Sequence, residues 1–267
     1  MLSAALYLLF ICVSLQFRGT SSRFSFQDQS YTALLDESYL LNRTSYARIG
    51  TAYELYELPP VRKGEFSCSP FIIEVTDFAS LPNDHLRPQV LISGEIHGDE
   101  RVGPIASLGL AQLLVYSAEC ILKQSKKYCQ MLDKWEGISN HDREILAMLV
   151  TKRDIFIMPA ANCMGHYYKS RADINGIDPN RDFPYSRHDN RCFQSLTAQF
   201  IREVMTDNII QIVVTYHAGM VAIAYEWGAL HHPAPKDISP ADNAHREIAM
   251  KMKEFSGSFT NEPTYPG

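Results

Sequence analysis

Residues 89–100 read Gln-Val-Leu-Ile-Ser-Gly-Glu-Ile-His-Gly-Asp-Glu, an apolar run followed by a turn that contains two glycines. A helical pattern begins at Val102, so this part of the chain reads as a buried strand, a tight turn and a helix. Binding sites in α/β proteins are built at the carboxyl ends of strands. We therefore expect His97 and Glu100, which lie in the turn, to belong to a functional site.

Short apolar runs alternate with longer helical patterns over most of the chain. The predicted strands are Phe71–Val75, Gln89–Ser93, Asp154–Met158, Ile209–Thr215 and Met220–Tyr225. The predicted helices are Val102–Glu119, Arg143–Thr151, Cys192–Met205 and Asp242–Phe255. Strands that are apolar on both faces need cover on both sides. The pattern thus predicts a single α/β domain, with a mixed, mostly buried sheet flanked by helices.

The composition is that of a globular protein. Of the 267 residues, 46% are hydrophobic and 21% are charged, which is enough apolar material for a sizeable core. The net charge is −5 and the chain has no run of Lys or Arg. Because a phosphate backbone is bound by a concentrated basic surface, we expect no nucleic-acid partner.

The N-terminus is apolar and uncharged over Met1–Phe17, and its core, Ala4–Leu15, is too short to span a bilayer. We interpret residues 1–22 as a secretory signal peptide and residues 23–267 as a secreted domain without membrane contact after cleavage. An uncleaved membrane anchor is the alternative, because no side-chain charge precedes the apolar run. The glycosylation sequon Asn42-Arg43-Thr44 fits export.

Signal cleavage would leave five cysteines, none in the CxxC spacing of a zinc cage. In an oxidising compartment some of them should pair. Cys120 and Cys129 are close enough in sequence to close a short loop, whereas the full connectivity stays open at this stage. The five are Cys68, Cys120, Cys129, Cys163 and Cys192.

His97 and Glu100 have the spacing of a pair of metal ligands, because side chains three residues apart can point into one space. A hydrolytic zinc site uses three nitrogen or oxygen ligands and keeps one position for water. Two histidines and one glutamate are a recurring set. An HxxE pair also arises by chance, so its surroundings decide the assignment.

His217 offers a third ligand, since it follows the apolar run Ile209–Thr215 and precedes Ala218-Gly219. The alternative is a core histidine that bonds a carbonyl group. A metal and a second acceptor would together satisfy both ring nitrogens. Four other histidines lie among loop-forming residues, and we expect them to be loop residues rather than metal ligands. They are His166, His188, His231 and His232.

Residues 171–184 read Arg-Ala-Asp-Ile-Asn-Gly-Ile-Asp-Pro-Asn-Arg-Asp-Phe-Pro, a loop rich in turn formers. The adjacent Asn180 and Arg181 offer an amide and a planar guanidinium, which suit two-point binding of a carboxylate. Taken by itself, the segment also fits a surface loop with solvated charges.

Together these motifs resemble the zinc metallocarboxypeptidases, most closely their carboxypeptidase N/E-like branch. The likeness rests on His97-x-x-Glu100, on Arg171 nine residues before Asn180-Arg181, and on a strand that ends in His217-Ala-Gly, in that order. It is firm over residues 89–228. It implies a metallocarboxypeptidase-like fold, and hydrolysis of the C-terminal residue of peptides or proteins through a metal-activated water.

The resemblance also implies roles for individual residues. It assigns Zn²⁺ to His97, Glu100 and His217, with Asp178 behind His97 to fix the orientation of its ring. Its substrate-binding residues are Asn180 and Arg181, for the terminal carboxylate, and Arg171, which polarises the scissile carbonyl and stabilises the oxyanion.

One part of the family pattern is missing. The family's general base is a glutamate late in the domain, whereas residues 261–267 resemble a segment that lies before that position. We therefore expect a C-terminally truncated sequence that lacks the base, and a polypeptide ending at Gly267 that is poorly folded and inactive.

Two other functions stay open at the level of sequence. Zinc deacylases of N-acyl amino acids also use an HGxE motif and also bind a carboxylate. A non-catalytic binding protein of carboxypeptidase type would keep the carboxylate site without turning over a substrate.

Overall fold

The computed structural model describes residues 8–12, 29–84, 86–184, 191–219, 222–226, 238–255 and 264–266. The strands, numbered along the chain, are β1 (Leu8–Cys12), β2 (Ala47–Thr51), β3 (Val61–Lys63), β4 (Phe66–Cys68), β5 (Phe71–Val75), β6 (Gln89–Ser93), β7 (Asp154–Met158), β8 (Ile210–His217), β9 (Ala222–Tyr225) and β10 (Thr264–Pro266). Over these residues, β3 and β4 form a hairpin, and the other strands form one sheet in the order β10-β9-β1-β8-β6-β7-β5-β2.

The sheet is mixed, as predicted. Its centre is parallel, because β1, β8, β6 and β7 all run in the same direction. Strand β5 runs antiparallel to both β7 and β2, and β9 runs antiparallel to β1. In the register, Ser93 at the end of β6 lies opposite both Met158 and Thr215. The carboxyl ends of β6, β7 and β8 therefore meet at one edge of the sheet.

Helices cover both faces of the sheet. They are α1 (Tyr31–Leu41), α2 (Ala52–Tyr56), α3 (Val102–Leu122), α4 (Lys126–Leu132), α5 (Asn140–Lys152), α6 (Cys163–Tyr168), α7 (Leu196–Asp207) and α8 (Asp242–Phe255). Strand β5 shows the two-sided burial, since Phe71 and Ile73 pack into the core with α1, α3 and α5, whereas Ile72 packs with α7. Alternate side chains of a strand point to opposite faces, so one apolar run fills two cores.

Strand β1 comes from the segment that we interpret as a signal peptide. It lies between β8, to which it is parallel, and β9, to which it is antiparallel. Cleavage after residue 22 would remove this strand, so the arrangement is that of the uncleaved chain. The signal peptide stays a prediction.

Helix α3 is the one described helix with the length and hydropathy to cross a membrane. However, 56% of its most apolar window is buried inside the protein, where it packs against α5 and the sheet. That burial is typical of the core helix of a globular domain.

Two disulfides link the described residues. Cys120–Cys129 joins the end of α3 to α4, which is the short loop that the spacing suggested. Cys68–Cys163 joins the β3–β4 hairpin to the first residue of α6, across a sequence separation of 95. The second bridge therefore ties a peripheral hairpin to the helix that follows β7.

Candidate metal centre

Residues 94–101, here called the metal loop, connect β6 to α3. The N–H of Gly94 donates to the carbonyl of Met158 at 2.8 Å, which extends the pairing with β7 into the loop. A Cβ added to Gly98 would lie 1.9 Å from the carbonyl carbon of Gly165 in α6, so only glycine permits this approach. The N–H of Glu100 donates to the carbonyl of His97 at 3.2 Å and closes the turn that carries both side chains.

The three predicted ligands converge. Nδ1 of His97 lies 2.9 Å from Oε1 of Glu100, and Nδ1 of His217 lies 2.8 Å from Oε2 of the same carboxylate. The three ligand atoms are all within 4.8 Å of one another. His217 reaches the metal loop because it ends β8, the parallel neighbour of β6. Residues far apart in sequence are thus brought to one point by the sheet.

The arrangement of donors and acceptors suits a divalent cation. Nε2 of His97 lies 3.0 Å from Oδ1 of Asp178, and we assign the ring proton to this bond. Nδ1 then keeps its lone pair, so this nitrogen and the Glu100 carboxylate together offer two adjacent acceptors to a proton or a cation. Two imidazole nitrogens and one carboxylate are the ligand types that Zn²⁺ binds in hydrolytic sites.

The carboxylates of the site are held in the ionised form. Burial opposes the ionisation of Glu100, but hydrogen bonds with His217 and His97, and the charge on those rings, lower its pKa to about 2. Burial also opposes the ionisation of Asp178, whereas the charge of His97 and the N–H of Asn180 lower its pKa below the ordinary value. Both groups are therefore negative at neutral pH.

Arg171 lies beside the ligands, with 47% of its side chain exposed. Its Nε and Nη2 atoms each lie 3.0 Å from Oδ2 of Asp178. Its Nη1 atom lies 3.2 Å from Nδ1 of His97 and 3.7 Å from Oε1 of Glu100. A guanidinium in this position can stabilise negative charge that develops next to the ligands.

Asn180 and Arg181 lie on the 3-10 turn Pro179–Arg181. Oδ1 of Asp178 accepts a hydrogen bond from the N–H of Asn180 at 2.9 Å, so the carboxylate that orients His97 also fixes the start of this turn. Arg181 is exposed, and its guanidinium donates to the carbonyl of Asn180. Carboxylate binding by the two side chains stays a prediction.

The expectation that His166 is a loop residue was wrong. It lies in α6 with 2% exposure, because it pairs with Glu95 of the metal loop at 2.6 Å. The sequence signal for this pair is a charged residue, Glu95, directly after an apolar strand. The other histidines set aside above lie outside the described residues; they are His188, His231 and His232.

Comparisons with known proteins identify a family model and several relatives. A family model described as "Zinc carboxypeptidase" matches residues 42–265. The chain is 28% identical over 214 residues to carboxypeptidase D of Drosophila melanogaster, covering 66% of this chain and 13% of that protein. It is 28% identical over 124 residues to carboxypeptidase E of Caenorhabditis elegans, covering 41% of this chain and 22% of that protein.

Solved structures with a similar fold include a carboxypeptidase. Thrombin-activatable fibrinolysis inhibitor matches with a TM-score of 0.59 and 15% identity, over 88% of this chain and 58% of that one. Carboxypeptidase A of Helicoverpa armigera matches with a TM-score of 0.56 and 16% identity, over 90% of this chain and 56% of that one. The chain thus spans less than two thirds of each of these relatives.

Proposed function

We propose that this chain, which belongs to the zinc carboxypeptidase family, forms the metal-binding part of an exopeptidase that removes the C-terminal residue of peptides or proteins. One observation supports this proposal most strongly. Two imidazole nitrogens and a carboxylate converge at the adjoining ends of β6 and β8, with the guanidinium of Arg171 3.7 Å from that carboxylate.

The ion that fits these donors is Zn²⁺, held by His97, Glu100 and His217. When bound, it supplies Lewis acidity and lowers the pKa of a water ligand toward ~7. Asp178 would contribute by accepting a hydrogen bond from Nε2–H of His97, because this bond leaves Nδ1, which faces Glu100, as the nitrogen able to bind the ion.

The substrate is held by the amide and guanidinium groups that follow Asp178 in the chain. Asn180 and Arg181 supply an amide and a guanidinium fork for the terminal carboxylate. The turn that carries them starts at Asp178, so a carboxylate bound there lies near the ligands. Arg171, which contacts both Asp178 and His97, stabilises the negative charge that develops on the scissile carbonyl oxygen.

The test is hydrolysis by the protein expressed from its complete reading frame. An N-acylated peptide with a free C-terminus is incubated with the protein, and the released amino acid is measured by mass spectrometry. We expect release that a chelator abolishes and zinc restores, and none from the same peptide with an amidated C-terminus. Activity confined to N-acyl amino acids would favour a deacylase instead, and activity on neither substrate would contradict a hydrolase.

We also propose that the protein enters the secretory pathway. Its two disulfides are typical of an oxidising compartment. The sequon residue Asn42 is exposed at the end of α1, where its Oδ1 atom accepts from the N–H of Ile49 at 3.3 Å. An exposed asparagine in a sequon is sterically able to carry a glycan.

A further inference from the structure

A second histidine–carboxylate pair lies directly behind the metal loop. Glu95 has 0% exposure and His166 has 2%. Nδ1 of His166 lies 2.6 Å from Oε2 of Glu95, and Nε2 lies 2.9 Å from the carbonyl oxygen of Gln29. Because both ring nitrogens face oxygen atoms, one proton at each contact satisfies the pair.

Arg101, at the end of the metal loop, closes the network. Its guanidinium donates from Nη1 to the carbonyl of His166 at 2.6 Å and from Nη2 to the carbonyl of Gln29 at 2.9 Å. It also lies 3.9 Å from Oε1 of Glu95. Both ends of the metal loop are thus bonded to α6, and the Arg101 end is also bonded to the segment that precedes α1.

The backbone reinforces these contacts. The N–H of Asn162, which caps α6, donates to the carbonyl of Glu95 at 3.0 Å. Gly98 packs directly on Gly165. The loop therefore contacts α6 on both sides of His97, through the residue two before it and the residue after it.

A buried ion pair is a weak source of stability, because the desolvation of both charges offsets their attraction. It is nevertheless strongly directional, since short charge-assisted hydrogen bonds fix the two groups relative to each other. A metal loop needs this property, because its ligands have to be held in place before the ion binds.

We propose that Glu95 and His166 are positioning residues for the metal centre, which hold the metal loop so that His97 and Glu100 meet His217. Because His166 also bonds the carbonyl of Gln29, the same pair connects the segment before α1 to the metal loop. This inference rests on the proposed metal site, and its test separates the two claims.

The test compares two substitutions that each remove one carboxylate charge from the metal loop, Glu95→Gln and Asp99→Asn. Both positions lie two residues from His97, but Asp99 is exposed. Zinc affinity of the full protein is measured by competition with a chromophoric chelator. We expect Glu95→Gln to weaken binding by about tenfold or more. Asp99→Asn should change it by no more than about twofold, since an exposed charge is screened.

Two further measurements distinguish positioning from simple destabilisation. The visible spectrum of the Co²⁺-loaded protein should change in Glu95→Gln and in His166→Gln, but not in Asp99→Asn. Circular dichroism at the titration temperature identifies folded variants, and His166→Gln replaces Glu95→Gln if the latter unfolds.

Three outcomes decide the inference. Weakened zinc binding in a folded Glu95 or His166 variant supports it. Wild-type affinity and an unchanged cobalt spectrum in such a variant would overturn it, while the proposed metal site would stand. A wild-type protein that binds no zinc would overturn the proposed metal site and this inference with it.

Discussion

At the scale of single residues, the candidate centre depends on Glu100, whose two carboxylate oxygens face one histidine each. Hydrogen bonds with those histidines outweigh the effect of burial and hold its pKa at about 2. The carboxylate is therefore charged before any ion arrives. Its negative charge offsets part of the positive charge of a bound cation, whereas two neutral imidazoles offset none of it.

Replacing Glu100 with glutamine tests this role. The amide keeps the shape of the side chain but removes its charge and one of its two acceptors. We expect zinc affinity to fall by at least about a hundredfold, because a ligand is lost rather than a supporting contact. Equilibrium dialysis with zinc analysis measures the change, and affinity within threefold of wild type would show that Glu100 is not a ligand.

The exposed sequon gives a second prediction for one residue. In a eukaryotic secretory host, the protein should carry an N-linked glycan on Asn42, because the side chain is exposed at the end of α1. Glycosidase treatment should then increase its mobility on a gel, and Asn42→Gln should abolish the shift. A shift that persists in Asn42→Gln would place the glycan elsewhere.

The convergence of the three candidate ligands was predicted from the sequence, whereas the contacts that support them were not. His97 and Glu100 could be picked out because they lie in a glycine-containing turn after an apolar strand, and His217 because it ends a strand that is followed by Ala-Gly. The pairing of Glu95 with His166 was not predicted, because a charged residue in this position does not indicate a hydrogen-bond partner 71 positions away.

At the scale of secondary structure, the metal loop packs against α6 through the backbones of Gly98 and Gly165. Gly98→Ala would place a Cβ 1.9 Å from the carbonyl carbon of Gly165, so the loop and the helix would have to separate. We expect unfolding free energy to fall by ~3 kcal/mol, as in overpacked cores. Zinc affinity should fall as well.

The matched control for this change is Gly64→Ala in the β3–β4 hairpin. There an added Cβ meets nothing within 4 Å, and the cost is that of a positive φ of 62°. That strain is worth ~1 kcal/mol. Denaturant unfolding of both variants measures the difference, and equal losses would argue against the close contact between the metal loop and α6.

Elements with a strong local signal were predicted with their boundaries. Four elements begin and end at the predicted residues, namely β5, β6, β7 and α8. The three strands are mostly apolar runs, and the helix has an uninterrupted helical pattern of apolar residues. Helix α7 was predicted to begin at Cys192 but begins at Leu196. The difference arises because the side chain of Ser195 accepts from the N–H of Ala198, and buried Asp182 binds Ser195.

At the scale of the whole molecule, the alternation of strands and helices predicted an α/β fold with a mixed sheet, and this is confirmed. The strand order was not predicted, because it depends on long-range pairing such as that of β6 with β8. The hairpin and the short helix α6 were also missed, since three to six residues give too little periodicity.

The two disulfides should differ in their contribution to the stability of the whole domain. Cys68–Cys163 spans 95 residues of sequence and Cys120–Cys129 spans 9. Chain-entropy reasoning gives about 4.7 kcal/mol for the longer loop and about 2.6 kcal/mol for the shorter one. The contribution of each disulfide is measured as the change in the free energy of unfolding, in guanidinium chloride, of a variant in which both of its cysteines are replaced by serine. A greater loss from the shorter loop would contradict this ordering.

In the proposed metal centre, one zinc ion is bound by His97, Glu100 and His217 at the adjoining ends of β6 and β8. Zinc K-edge X-ray absorption of the protein loaded with equimolar zinc tests it most directly. We expect nitrogen and oxygen ligands at about 2.0–2.2 Å, with the outer-shell scattering of two imidazoles that falls to one in His217→Ala. A sulfur ligand at about 2.3 Å, or a spectrum that His217→Ala leaves unchanged, would contradict the account.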